Sequence, residues 1–425
     1  SSPSGRICAG EESMAAPMAA PPLEEQWENI DEAMKERLRV NFGAAALRRQ
    51  VIIVVLKVHV QTRATELNVA SALSALRGAL GPYTSWNRGG VLVKFEDSRL
   101  FLVYDSAKEA LCAGLRAMRR VSTIIRGSAC MRAVISGLSV GIAGPGSVLL
   151  FFPESGHSLN GDVYGDIHRA ASKLGKDTAD AGEMLVSESV LQADGSGGGK
   201  CKWEMCSVGF SGVELRYGIL EDEGQLLAVG DGMEPAEDLL QKARGGYFGF
   251  GVDRLAARMC RTDQDEPDEG EDEKIVASLT TERTFICTDL SGFTRISKSH
   301  GLITFLDIIA QQRQIWREIL HQYGGRLEKY EDDDVIASFE ATATGAARAI
   351  EASVVAQRRV AATRPKRSGA SADVPALYMG VGVECAKALQ VGTDIYGWEY
   401  EVCYQLGEQL ADNKSGEGLV GPRAH

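Results

Sequence analysis

Two short stretches hold the residues best suited to chemistry. TFICTDLSGFT, 284 to 294, ends an apolar run in Asp289 and turns through Ser291, Gly292, Phe293 and Thr294. KYEDDDV, 329 to 335, sets Asp333 inside a charged tip. A carboxylate at the end of a buried strand is costly unless something binds it. The plain alternative is a turn or capping aspartate, which is common. If the tip lies beside the strand, the two carboxylates face each other. Paired carboxylates suit Mg²⁺, which takes hard oxygen ligands, few from protein and the rest from water and phosphate. Two metals held there can activate a hydroxyl and neutralise a leaving phosphate. Where the chain turns into a helix after Asp289, backbone N–H groups can receive phosphate oxygens.

The elements that must position these groups occur twice. VIIVVLKVHV opens one copy and RTFICTDL the other. A helix follows in each, read in the second copy from Phe305, Ile309, Trp316 and Leu320 at helical spacing. Each copy then has Gly-Gly and a hairpin, NRGGVLVKFEDSRLFLVYDS and QYGGRLEKYEDDDVIASFEA. An Ala-rich helix comes next, then LSVGIAGPGSVLL or LYMGVGVECAKALQV, then DVYGDIHRAASKLGKDTAD or DIYGWEYEVCYQLGEQLAD. Matching positions, such as Lys57 with Asp289, Lys94 with Lys329 and Arg169 with Glu401, recur at offsets of 232 to 235 residues. This is a domain duplication, not a short-period solenoid. The order β-α-β-β-α-β predicts an α+β fold of two ferredoxin-like domains.

F-x-x-x-D-L-S-G-F-T, a Lys-x-x-x-Asp hairpin and D-x-Y-G followed by ASKLG together resemble the class III nucleotidyl cyclases. The resemblance covers roughly 50 to 220 and 280 to 420. It implies two cyclase homology domains packed head to tail as an intramolecular pseudo-heterodimer, with sites shared at their interface. By this resemblance Asp289 and Asp333 are the metal ligands for two Mg²⁺ or Mn²⁺ ions. Their counterparts in the first domain are Lys57 and Ser98, so that domain has lost the metal role. Lys94 and Asp162 take the base-reading positions. A Lys donor suits adenine N1 and an Asp acceptor suits the N6 amino group, favouring ATP. Lys173 stands where the family has a phosphate-binding Arg, and it keeps the charge without the fork. Arg169 replaces the ribose-contacting Asn, and Asp332 replaces a Gly before the second metal aspartate. The implied reaction is attack of the ribose 3′-hydroxyl on the α-phosphate, giving cyclic AMP and pyrophosphate. The opposite interface, Lys57 and Ser98 with Lys329, Asp394, Glu401 and Gln405, is expected to be catalytically dead. A pseudo-cyclase serving as a scaffold or nucleotide sensor stays open as the alternative reading.

Composition bounds the remaining choices. The 425 residues allow two or three domains, and 44% hydrophobic with 24% charged content suits a globular protein. A net charge of −12 argues against nucleic acid as main partner. The longest aliphatic run, VIIVVL, is far short of a membrane span. Nine scattered cysteines without a CxxC pair point to reduced thiols in an intracellular, cytoplasmic setting. The expected division is a disordered tail over 1–22, a helix over 23–50 that ends or breaks near Gly43, domains over 51–222 and 280–425, and a connection over 223–279. The helix reads as a packing element or as the docking point for protein partners in a larger assembly. Within the connection, DQDEPDEGEDEK (263–274) reads as a solvated linker. GIAGPG, 141 to 146, reads as a turn. WEMCSVGFSGVELRYGIL, 203 to 220, reads as terminal strands that the second domain lacks.

Overall fold

The apolar runs become central strands because residues on both faces of each are buried. In a computed structural model, residues 20–80, 90–152, 161–193, 202–210, 213–221, 238–239, 241, 253–260, 270–290, 293–363, 377–411 and 418–423 are described. The first sheet contains β1 (Ala44–Val60), β2 (Gly90–Glu96), β3 (Arg99–Tyr104), β4 (Ile135–Phe152), β5 (Asp162–Tyr164), β6 (Met184–Ser187), β7 (Trp203–Phe210) and β8 (Val213–Leu220). The second contains β9 (Thr280–Leu290), β10 (Arg326–Glu331), β11 (Asp334–Glu340), β12 (Met379–Val391), β13 (Asp394–Tyr396) and β14 (Gly418–Val420). Along β1, Ile52, Val54, Leu56 and Val58 face the core under the helices Glu66–Leu80 and Ala107–Gly127. Val51, Ile53 and Val55 face the other side, against Ala170 and Ala171. A strand covered on both faces reads as a continuous apolar run, as this one does.

The two sheets share a plan, and the chain is a mixed α+β protein. Strand order is β2-β3-β1-β4-β6-β8-β7 in the first and β10-β11-β9-β12-β13 in the second. The first four positions correspond, each with two helix crossovers. A parallel strand also follows in both, β6 on β4 and β14 on β12. The segment 203–220 forms β7 and β8 as an antiparallel edge pair, and no such pair occurs among the described residues of the second half.

Three expectations need correction. The expected break near Gly43 is where the second helix ends, but residues 44–50 after it are not helical. The expected element is two helices, Leu23–Glu28 and Glu32–Phe42, and the chain then enters β1 with Ala44 opposite Phe152. Pairing with β4 overrides the helix propensity of AAALRRQ. The helices themselves are packing elements, as one of the two readings of this stretch has it. Met34, Leu38 and Phe42 are buried with Ile303, Leu306 and Trp316 of the second half. Arg37 pairs with the fully buried Asp307. GIAGPG is no turn but lies inside β4, where the register against β1 shifts. The charged segment 263–274 is not all linker. Its last residues start the helix Glu271–Leu279, whose first-turn acids suit the positive end of the helix dipole. Arg258 donates to both Asp272 carboxylate oxygens at 2.7 and 2.6 Å and binds this helix to Asp253–Met259.

Candidate functional site at the interface of the two halves

The hairpins aim the candidate residues. In β2–β3 the register slips between Leu92 and Lys94, and in β10–β11 it slips at the matching place, between Leu327 and Lys329. Such bulges re-aim side chains, and here each puts a lysine toward the opposite half. The hairpins close through two-residue turns, Asp97–Ser98 and Asp332–Asp333. Asp97 and Asp332 both have φ of 48°. That left-handed region favours Gly, and it tolerates Asp and Asn better than most side chains. Thr288 Oγ1 accepts from Val335 N at 2.9 Å, which clamps the end of β9 to the start of β11.

The lysines and tip aspartates cross over. Lys94 Nζ donates to Asp332 Oδ1 at 2.8 Å, and Lys329 Nζ donates to Asp97 Oδ1 at 3.1 Å. Lys94 also reaches Glu96 at 3.2 Å and lies 3.9 Å from Asp162 Oδ1. Its Nζ sits 4.8 Å from the Phe101 ring centre. Burial opposes the Lys94 charge, but Asp332, then Glu96 and Asp162, outweigh it and raise the pKa. The same lysine, against the effect of burial, holds Asp332 well below the usual carboxylate range.

A second crossing set was not visible in the sequence. Arg313 Nη2 donates to Asp162 Oδ2 at 3.1 Å and to the Asp332 carbonyl at 3.1 Å. Arg77 in the first half pairs with Asp394 Oδ2 at 2.5 Å and donates to the Asp97 carbonyl at 2.6 Å. Each half therefore supplies a lysine, an arginine and two aspartates to a network with pseudo-twofold symmetry. The arginines lie inside helices otherwise read as packing elements, and only the repeat of Arg-to-tip geometry marks them.

The sequence-predicted residues fall into three groups. Lys94 and Asp162 come together, in a cleft of about 690 Å³ also lined by Phe42, Arg313, Tyr330 and Asp394. That volume suits a small-molecule ligand. Asp289 and Asp333 lie together at the end of β9 and the β10–β11 turn. Burial first, then the charges of Asp289 and Asp332, push the Asp333 carboxyl well above its usual range. Asp334 is raised as well, by burial and then by Asp333 and Glu408. Asp289 and Asp333 are not among the residues lining the cleft, so Asp332 is the link between the two groups. Arg169 and Lys173 form the third group. Arg169 pairs with Asp166, and Lys173 Nζ lies 3.5 Å from Asp177, both on their own helix. That helix, Asp166–Ser172 continued by a π-helical turn Lys173–Thr178, runs close over β4. A Cβ on Gly141 would come within 2.2 Å of Gly175 N. Ser291 and Gly292 lie outside the described residues, and Phe293 and Thr294 begin the helix Phe293–His300.

The acids fit a divalent cation in donor chemistry. Asp289 and Asp333 are hard oxygen donors, and burial followed by the neighbouring Asp289 and Asp332 charges raises the Asp333 pKa, which a bound cation would oppose. Among the described residues no three His, Cys, Asp or Glu side chains converge as a metal cage. A pair of carboxylates completed by phosphate and water is the arrangement Mg²⁺ uses most. On the opposite side, Lys57 donates to the Lys176 carbonyl at 2.8 Å, and burial lowers its pKa. It lines a cavity of about 530 Å³ with Ser98, Lys176, Glu401 and Glu408.

No protein-family model matches the chain, and no curated protein matches it. The solved structures it is similar to include class III adenylyl and guanylyl cyclases. One is a class III adenylyl cyclase-like ATP-binding protein from Pseudomonas aeruginosa, at 11% identity and TM-score 0.49, covering 93% of each chain. Another is the catalytic core of a rhodopsin-guanylyl cyclase with converted specificity in complex with ATPalphaS, at 17% identity and TM-score 0.34, covering 42% of this chain and 98% of that one. A third is the guanylate cyclase domain of RhGC from Catenaria anguillulae in complex with GTP, at 15% identity and TM-score 0.35, covering 41% and 98%. Among the described residues no helix is long and apolar enough to cross a membrane.

Proposed function

We propose that the chain is a class III cyclase-like pseudo-heterodimer of two ferredoxin-like domains, with one ATP site at their interface, built to convert ATP into cyclic AMP and pyrophosphate. One observation carries this reading. Lys94 and Asp162 of the first half meet the Asp332–Asp333 turn of the second, with Lys94 Nζ 2.8 Å from Asp332. Base reader and metal carboxylates fall on opposite halves, as one shared site requires.

In this reading Lys94 donates to adenine N1 and Asp162 accepts from the N6 amino group. Phe42 and Tyr330 wall the cleft and keep water from the base. Asp289 and Asp333 would hold Mg²⁺ or Mn²⁺, two ions in the full complement. Bound there, the ions supply charge neutralisation of the phosphates and a more acidic 3′-hydroxyl. Arg169 and Lys173 supply positive charge for the triphosphate by exchanging Asp166 and Asp177 for phosphate oxygens. Most of the rate then comes from positioning and electrostatics.

A second reading has its own support. Lys94 and Asp162 already have partners, Asp332 and Arg313, so the base must displace at least one. A silent nucleotide sensor or structural subunit has use for such a closed interface. Cyclic AMP production from ATP with Mg²⁺ and with Mn²⁺, on wild type and Asp289→Ala, tests the proposal. The expected result is product from wild type that disappears in the variant. ATP binding without product would favour the sensor. Neither binding nor product would leave the structural subunit.

A further inference from the structure

We infer that Arg313 is the positioning residue of the base site: it holds the Asp162 carboxylate ionised and turned as a hydrogen-bond acceptor, and so makes the cleft choose adenine over guanine. This rests on the proposed ATP site.

Arg313 is only 3% exposed, and both terminal nitrogens of its guanidinium are hydrogen-bonded. Its guanidinium lies between the Phe42 and Tyr330 rings, 4.1 and 4.4 Å from their centres. Nη1 donates to the Asn41 carbonyl at 3.1 Å. Nη2 is shared among Asp162 Oδ2, the Asp332 carbonyl and, at 3.4 Å, the Tyr164 hydroxyl. Three segments distant in sequence thus define one orientation, and a planar fork is needed to meet them.

With Oδ2 engaged, Asp162 Oδ1 is the atom turned toward Lys94, at 3.9 Å. That is beyond hydrogen-bond length, so Oδ1 keeps its capacity to accept. The charged groups around Asp162 are Arg313 and Lys94, which favour its charge, and Asp332, which does not, and the Tyr164 hydroxyl, also bonded to Arg313, is neutral. Burial is the largest influence and raises the Asp162 pKa, with Arg313 the strongest counterweight. Removing Arg313 leaves Lys94 to oppose burial and Asp332, and so moves the balance toward the protonated, donating carboxyl. An ionised Asp162 beside Lys94 offers an acceptor and a donor, the complement of adenine N6–H and N1. A protonated one adds a donor where the adenine amino group needs an acceptor, which weakens the match to adenine.

The same geometry at Arg77, with Asp394 and the Asp97 carbonyl, gives an internal control. Arg77 holds Asp394, which lines the same cleft, and not Asp162, so its loss should give no Asp162 carboxyl band.

The test uses the full chain and compares Arg313→Met, Arg313→Lys, Arg77→Met and wild type. ATP and GTP affinities are measured by calorimetry across pH. Aspartate carboxyl protonation is read by infrared difference against Asp162→Asn. Arg313→Met should lose roughly tenfold to a hundredfold in ATP affinity near neutral pH, with little change for GTP. Its ATP affinity should recover only at higher pH, and Arg313→Lys should restore part of it. A protonated-carboxyl band assigned to Asp162 should appear in Arg313→Met and not in wild type. If Arg313→Met does not fold, Asp162→Asn, a neutral donor-bearing isostere, should show the same loss of ATP preference. An unchanged ATP-to-GTP ratio in a folded Arg313 or Asp162 variant would overturn the inference. So would the absence of the carboxyl band in Arg313→Met. If wild type binds neither nucleotide, the ATP site itself is refuted, and the band still decides whether Arg313 controls Asp162.

Discussion

Replacing Asp332 with glycine removes a side chain with two opposing effects. The first is the ion pair to Lys94, at 2.8 Å. The Asp332 side chain is 39% exposed, while that of Lys94 is 5% exposed and keeps Glu96 at 3.2 Å. A charge-assisted bond with one solvated partner is worth about 1–2 kcal/mol, below the value for a fully buried pair. The second effect is backbone strain from φ of 48°, which glycine relieves by about 1 kcal/mol. The net change in stability should stay within about 1 kcal/mol, a shift in Tm of roughly two degrees. For the proposed base site the effects do not cancel. Adenine no longer competes with a carboxylate for Lys94, so ATP should bind about 5- to 30-fold tighter. The chain contains a matched control. Asp97 has the same φ of 48° and takes Lys329 at 3.1 Å, but it lines the cavity of Lys57 and Ser98 and not the cleft of Lys94 and Asp162. Asp97→Gly should therefore repeat the small stability change and leave ATP affinity where it was. Calorimetric unfolding and ATP titration of both variants make the assay. Equal affinity changes in the two variants, or weaker ATP binding in a stable Asp332→Gly, would refute the reasoning.

Two other outcomes follow from the same geometry. His168 is buried beside Phe101, and burial pushes its pKa down to about 4. Between that value and the unfolded value near 6.5, the unfolded chain binds a proton that the folded chain refuses. Its contribution is fully present above about 6.5 and is lost as pH falls through the folded value. Urea unfolding should show a loss of roughly 2 kcal/mol between pH 7 and pH 5 from this group, and His168→Phe should remove that part. Leu38 is 0% exposed, so Leu38→Ala should cost about 2–5 kcal/mol in thermal or urea unfolding. A loosely attached docking helix would show almost no change.

The sequence disclosed what repeats and what alternates. Two copies of strand, helix and hairpin made the architecture readable, because a run such as VIIVVL can be buried on both faces only in a central strand. Spacing and resemblance together brought Lys94 to Asp162. What stayed hidden depends on contacts far apart in the chain. Arg313 sits in the stretch QQRQIW, and no local pattern marks it as the partner of residues 41, 162 and 332. AAALRRQ favours a helix locally and becomes strand only because β4 is there to pair with it. Asp332 read as crowding of the hairpin tip, and its crossing to Lys94 needs the second half in place.

The helices Leu23–Glu28 and Glu32–Phe42 bear on the order in which the protein is made. They leave the ribosome before any strand of either sheet, yet Met34, Leu38 and Phe42 bury themselves against Ile303, Leu306 and Trp316. Phe42 also meets Phe151 and Tyr164 of the first half, but the seat is complete only after more than two hundred further residues have been synthesised. During that interval an apolar helix face must wait in solvent or in the care of a chaperone. The first half also cannot be cut out cleanly at the acidic segment, because its opening helices belong to the core of the last half made. Separately expressed halves should accordingly be aggregation-prone alone and recover when produced together.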